Sequence, residues 1–375
     1  MINFVFGNKL SEHTLSMGQC EPVRFLANIG KMSENSQLDL EKKKVDICFR
    51  NGIDIVADNS ITKDSYILRK WIKANYPMAL NTVPIYETFD AMKSNTFDSS
   101  VLYEVLYRHI ASGSDMLVLH PGLTKSLADK VSASKRMLPV TSRGGAQIYR
   151  YMMKYNKENP YYENWEEICS IFMGTGVSLA LGISLRAASI LDDIDDYILE
   201  ELDILGELIK KTPSEIPICV EGIGHVKYDN IKRLMCEVRA RCGSVPIKTL
   251  GPLFSDRMLG NEHINALIGA TIAISQGASI IGALFRTEHM GLPSVTDYEE
   301  SLVNYKMLKY MVNMNERDIE LEKLMSNARK DKNWTGMLEH SFLHDLANTL
   351  FCFSHLKKDG ETCSMCGERC PYKEF

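Results

Sequence analysis

The chain lacks several features that would place it in well-defined protein classes. No apolar run approaches the ~18 residues that a membrane-crossing helix needs, so no membrane association is expected. Met1 to Gly7 has no basic stretch ahead of its apolar residues and no small-residue cleavage site, so a secretory signal is not expected. Positive charge is not in excess. The net formal charge of −5 gives no general attraction to nucleic acid or anionic lipid. Internal repeats and low-complexity tracts are absent. What remains is the profile of a globular enzyme of 375 residues, long enough for one large domain with a small appendage or for two ordinary domains.

Cysteine pairs at disulfide-framework spacing are missing too. Seven of the ten cysteines stand singly. Cys48, Cys169, Cys219, Cys236 and Cys352 lie in apolar, periodic surroundings and are expected to be buried thiols, and Cys20 and Cys242 lie near turns and are expected to be inert. This usage points to a reducing cytoplasm. The other three crowd the C-terminal end as Cys363-Ser364-Met365-Cys366-Gly367-Glu368-Arg369-Cys370. Three thiolates at this spacing can hold three corners of a [4Fe–4S] cluster and leave the fourth iron open to a bound molecule. A structural zinc site normally takes four protein ligands, and His355 upstream could complete a Cys3His set, so zinc stays open as the alternative.

Short apolar, β-branched runs alternate with helical patterns through most of the chain. Candidate strands cover 23–29, 53–57, 78–85, 116–120, 138–141, 177–181, 216–221, 247–250 and 279–285, with amphipathic stretches such as 38–51, 99–111, 194–211 and 230–242 between them. Such alternation predicts a parallel sheet with helical crossovers, and eight or nine units over this length fit a (β/α)8 barrel. Nine candidates are one too many for that barrel, so at least one lies outside it. Polar and glycine-rich residues follow the strands in turn: Asn28 to Gly30, Asp58-Asn59, Tyr86, His120 to Gly122, Ser142 to Gly145, Arg186, Glu221 to His225 and Thr249 to Pro252. In a barrel those ends converge on one face, where active sites form. The expected organisation is a short N-terminal extension (1–20), the barrel (21–297), a helical region (298–355) and a cysteine-cluster arm (356–375).

The ordered set Asn28-Ile29-Gly30, Thr82-Val83-Pro84-Ile85-Tyr86, Ser142-Arg143-Gly144-Gly145, Glu221-Gly222-Ile223-Gly224-His225, Thr249-Leu250-Gly251-Pro252, Glu288-His289-Met290-Gly291-Leu292-Pro293 and Cys363 to Cys366 resembles the phosphomethylpyrimidine synthase (ThiC) family, from residue ~20 to the end. The resemblance implies a radical S-adenosylmethionine lyase, in which the cluster and S-adenosylmethionine supply a 5′-deoxyadenosyl radical that takes hydrogen from 5-aminoimidazole ribotide. It makes Cys363, Cys366 and Cys370 the cluster ligands. Ser142, Arg143, Gly144 and Gly145 are then the phosphate contact, which suits a helix start with free amides and a nearby guanidinium. His225 and His289 would hold a zinc-like divalent ion, which suits two imidazoles brought from separate loops. Asn28, Tyr86, His120, Arg186 and Glu221 are expected to contact substrate. The resemblance also implies an external one-electron donor of ferredoxin or flavodoxin type, and a domain-swapped homodimer in which the arm reaches a neighbouring barrel mouth.

The chain departs from that family in places. Its cysteines run C-x2-C-x3-C where the family has C-x2-C-x4-C. The family's Asp-Gly-Leu-Arg-Pro-Gly stretch reads Ile183-Ser184-Leu185-Arg186-Ala187-Ala188, a family methionine is Ala57, and a family tyrosine is Lys248. These changes fall on the substrate side. The family's main product, 4-amino-5-hydroxymethyl-2-methylpyrimidine phosphate of thiamine biosynthesis, is the leading expectation. The related 5-hydroxybenzimidazole synthases of anaerobic cobamide biosynthesis are the alternative, and a non-catalytic cluster-binding paralogue the third.

Overall fold

The computed structural model describes residues 3–11, 13–33, 36–62, 64–88, 91–93, 97–352 and 358–373. Two short strands open the chain, β1 (Phe4–Phe6) and β2 (Leu15–Met17), paired antiparallel. Eight parallel strands follow: β3 (Arg24–Ile29), β4 (Ile55–Asp58), β5 (Ala79–Thr82), β6 (Met116–Leu119), β7 (Ser178–Gly182), β8 (Ile218–Glu221), β9 (Ile247–Leu250) and β10 (Ile280–Ala283). They close as a barrel in chain order, β10 pairing back to β3. The (β/α)8 expectation is met. Runs such as Met116–Leu119 and Ile280–Ala283 are buried along their whole length, as strands covered on both faces must be.

One candidate strand is a correction. Residues 138–141 form no strand but an irregular segment that leads into the helix Arg143–Tyr155. Pro139 has no N–H to give a ladder, and the amides of Met137 and Leu138 are taken by Asp192 instead. Removing it leaves the eight strands the barrel needs. The first twenty residues are held to the barrel by hydrogen bonds. Asn8 donates its backbone N–H to Asp115 and its side-chain amide to the carbonyls of Ile110 and Ser114, while Gly7 and Lys9 donate to Gly176 and Thr175. The β1–β2 ribbon therefore covers the N-terminal ends of β6 and β7, with Phe6 and Met17 buried beneath it. Two single cysteines also differ from expectation: Cys236 and Cys352 are exposed, and the helix that ends at Cys352 buries no residue.

The chain divides into compact units at 1–309 and 310–375. In the first, the helix Val295–Val312 packs Tyr298, Leu302 and Tyr305 inward, and Tyr298 donates its hydroxyl to the carbonyl of Asn28. The second unit holds the helices Glu316–Lys330, Trp334–Glu339 and His344–Cys352. The first of these starts on a capping box, the Asn315 side chain taking the amide of Asp318 and the Asp318 side chain taking that of Asn315. After residue 357 the chain is tied to the turn between helices: Gly360 donates to the carbonyl of Lys332, the Trp334 indole to Glu361, and Asp359 accepts from Thr335. Among the described residues no helix is long and apolar enough to cross a membrane.

Candidate active site

The C-terminal ends of the strands and the segments after them carry the barrel residues singled out by sequence, and hydrogen bonds stitch those segments together. His225 donates its amide to Ala187, and Val226 and Leu253 exchange amide bonds with the neighbouring loop at Leu253 and Gly224. Asn28, Tyr86, His120, Ser142, Arg143, Arg186, Glu221 and His289 line one cavity of about 430 Å3 at this end of the barrel. Gly144 and Gly145 lie behind it. Asp58 turns away to pair with Arg69 in the barrel wall at 2.7 Å.

Ser142 caps the helix Arg143–Tyr155, its Oγ accepting the Gly145 amide at 3.3 Å and lying 2.6 Å from His120 Nε2. His120 is clamped. A Cβ on Gly144 would come within 2.5 Å of its ring on one side, and one on Gly182 within 2.7 Å on the other. Both positions must be glycine for the imidazole to fit, which gives Gly144 a packing reason beside the one read from sequence. Burial brings the His120 imidazole down to about 4, against the pull of Glu221, so it stands neutral at the cavity wall. Its Nδ1 is buried with no partner, on the side that faces Gly144.

Arg143 lays its guanidinium over the Tyr86 ring at 4.2 Å and reaches the carbonyl of Asn59. Arg186 donates to the carbonyl of Ile183 at 3.0 Å, and burial holds it below its usual value while Glu221 opposes the shift. Its loop is fixed from behind by Glu201, whose carboxylate accepts the amides of Ser184 and Leu185, both at 2.7 Å. Burial raises that carboxyl to about 7.

Sequence reasoning missed Asn81, Glu201, Asp256 and Glu262. The last two explain the histidine pair. His225 Nδ1 lies 2.7 Å from Asp256, itself fixed by Ser189 and the amide of Ile190. His289 Nδ1 meets Glu262, whose other oxygen takes the His289 amide at 2.9 Å. The two rings stand 5.2 Å apart, centroid to centroid. With each Nδ1 turned to a carboxylate, each Nε2 is left for a ligand, the arrangement in which a carboxylate orients a metal-binding imidazole. Burial also keeps His225 below its usual value despite Asp256, which favours the neutral, ligating form. No local motif marks Asp256 or Glu262, because the pairings join residues 31 and 27 positions apart in sequence.

Among the described residues no group of three or more His, Cys, Asp or Glu side chains is gathered closely enough to hold a metal ion. The histidine pair therefore offers two protein ligands and no third. Cys363, Cys366 and Cys370 sit together on a turn and a short 3-10 helix of the second unit. The amides of Cys366 and Met365 lower the Cys363 thiol, while burial and then the charges of Cys363 and Cys370 raise Cys366. His355, the candidate fourth ligand for zinc, lies outside the described residues.

A model of the radical SAM ThiC family matches residues 4–375. The phosphomethylpyrimidine synthase of Thermotoga neapolitana is 32% identical, covering 98% of this chain and 88% of its own. Enzymes of the same name from Archaeoglobus fulgidus and Desulforamulus reducens are 32% and 31% identical, covering 96% and 92% of this chain and 85% and 82% of their own.

Proposed function

The chain belongs to the radical SAM ThiC family and is a radical SAM enzyme, and on that premise we propose that it rearranges 5-aminoimidazole ribotide to 4-amino-5-hydroxymethyl-2-methylpyrimidine phosphate. The observation that carries this reading is a cavity with the start of the helix Arg143–Tyr155 on its wall and polar groups across it. The amides of Arg143 and Gly144 take no partner among the described residues, so they and the Arg143 guanidinium are available to a phosphate. Tyr86 holds that guanidinium at the cavity edge. Neutral His120, braced by Ser142, offers the imidazole and sugar a polar edge without a charge. Asn28, Arg186 and Glu221 complete the substrate contacts, so that binding fixes which carbon lies within reach.

A [4Fe–4S] cluster and S-adenosylmethionine supply the hydrogen-abstracting radical, and Cys363, Cys366 and Cys370 are the residues that would hold the cluster. The Nε2 atoms of His225 and His289 would hold a zinc-like ion. The electron comes from a ferredoxin- or flavodoxin-type donor, and the arms are exchanged in a homodimer.

A second reading, rearrangement to 5-hydroxybenzimidazole, is favoured by one observation: Lys248 and Ala57, which stand where the family carries tyrosine and methionine, both line the cavity. An anaerobic assay of reconstituted protein with 5-aminoimidazole ribotide and S-adenosylmethionine, read by mass spectrometry, separates the two. Pyrimidine phosphate is the expected product. Benzimidazole without pyrimidine would overturn the first reading, and turnover to neither would overturn both.

A further inference from the structure

Barrel interiors are ordinarily filled by layers of branched aliphatic side chains. Here a lysine crosses the interior instead. Lys248 on β9 is 1% exposed, and its Nζ lies 2.8 Å from Glu221 on β8 and 3.2 Å from Asn81 on β5. β5 and β9 are four places apart in the ring of eight, so the side chain spans the barrel from one wall to the opposite one. All three residues line the cavity. Burying an ammonium is costly unless it is paired, and an apolar layer would close the barrel as well. The pairing is also incomplete. An ammonium has three donors and Lys248 spends two, and Glu221 spends Oε2 on the lysine while Oε1 takes no partner among the described residues.

A donor and an acceptor side by side are the complement of a hydroxyl group, which both gives and accepts a hydrogen bond. We infer that Lys248, held by Glu221 and Asn81, is a specificity-determining residue that recognises the vicinal hydroxyls of a pentose phosphate. This rests on the reading that the phosphate of the ligand sits at the Arg143 loop. The lysine sets the floor and the loop sets the wall, so two neighbouring hydroxyls of the sugar meet the first and its phosphate meets the second.

The test is calorimetric titration of the full chain with ribose 5-phosphate, 2-deoxyribose 5-phosphate and inorganic phosphate. Wild-type protein is expected to prefer the ribose by tenfold to about a hundredfold, the worth of one or two charge-assisted hydrogen bonds. Lys248→Met should abolish the preference and leave the affinity for inorganic phosphate unchanged. Because that change strands the Glu221 carboxylate, the double variant Lys248→Met, Glu221→Gln is measured beside it and should show the same loss. A preference that survives in either folded variant overturns the inference. So does a wild type that binds both sugars equally, although phosphate binding would then still support the Arg143 loop. Wild-type protein that binds none of the three overturns the loop reading together with the inference.

Discussion

Changing Glu262 should weaken metal binding more than changing Asp256, and the reason lies in how each histidine is held. The His225 side chain is 12% exposed and packed by its surroundings as well as oriented by Asp256, whereas the His289 side chain is 46% exposed and relies on Glu262 for its ring and its amide. Glu262→Gln keeps the size of the side chain and an acceptor for the backbone N–H, but removes the negative charge behind Nδ1. Loss of such a supporting partner costs 10- to 100-fold in metal affinity, or about 1.4–2.8 kcal/mol. Glu262→Gln is expected towards the upper end and Asp256→Asn towards the lower. Zinc titration of iron-free full chain against a chromophoric chelator reads both, with thermal midpoints of the metal-free variants checking the fold. Wild-type affinity in both variants would refute the carboxylate–imidazole reading. A larger loss for Asp256→Asn would refute the argument from exposure.

Three further outcomes are expected. His120 titrates at about 4 in the fold and near 6.5 when exposed, so the unfolded chain binds the extra proton between those values and stability falls as pH drops from ~6.5 to ~4, by about 3 kcal/mol for this group alone. Urea titrations across that range should show a shallower acid limb for His120→Asn, and an unchanged slope would count against a neutral His120. Cys363→Ala should remove the iron signal from anaerobically reconstituted protein, and mixing that chain with His225→Ala should restore activity through exchanged arms. Full activity of a wild-type monomer would contradict the exchange.

The barrel was legible because its strands are short apolar runs separated by helical periodicity, a pattern that needs no tertiary knowledge. The same rule misread 138–141, where Leu138, Val140 and Thr141 look like strand residues but Pro139 and the Asp192 hydrogen bonds hold an irregular path. It also passed over β1 and β2, whose three residues each are too few for any period to register. Of the site, the residues in glycine-rich or ordered motifs could be named in advance. Asp256, Glu262 and Asn81 could not, since each acquires its role from a partner on a different loop or strand. Lys248 stood out only as a departure from a resembling family, and its reach across the barrel needed the closed sheet to be seen.

The ribbon at the start of the chain has a consequence for synthesis. Asn8 finds its partner Asp115 only 107 residues later, and its neighbours Gly7 and Lys9 wait for Gly176 and Thr175. At ~5–20 residues per second, on the order of 5–20 s pass before the first of these partners has been made. During that interval the ribbon that carries Phe6 and Met17, both covered in the finished protein, lacks these partners. The ribbon can settle over the N-terminal ends of β6 and β7 only after half the barrel strands exist to receive it.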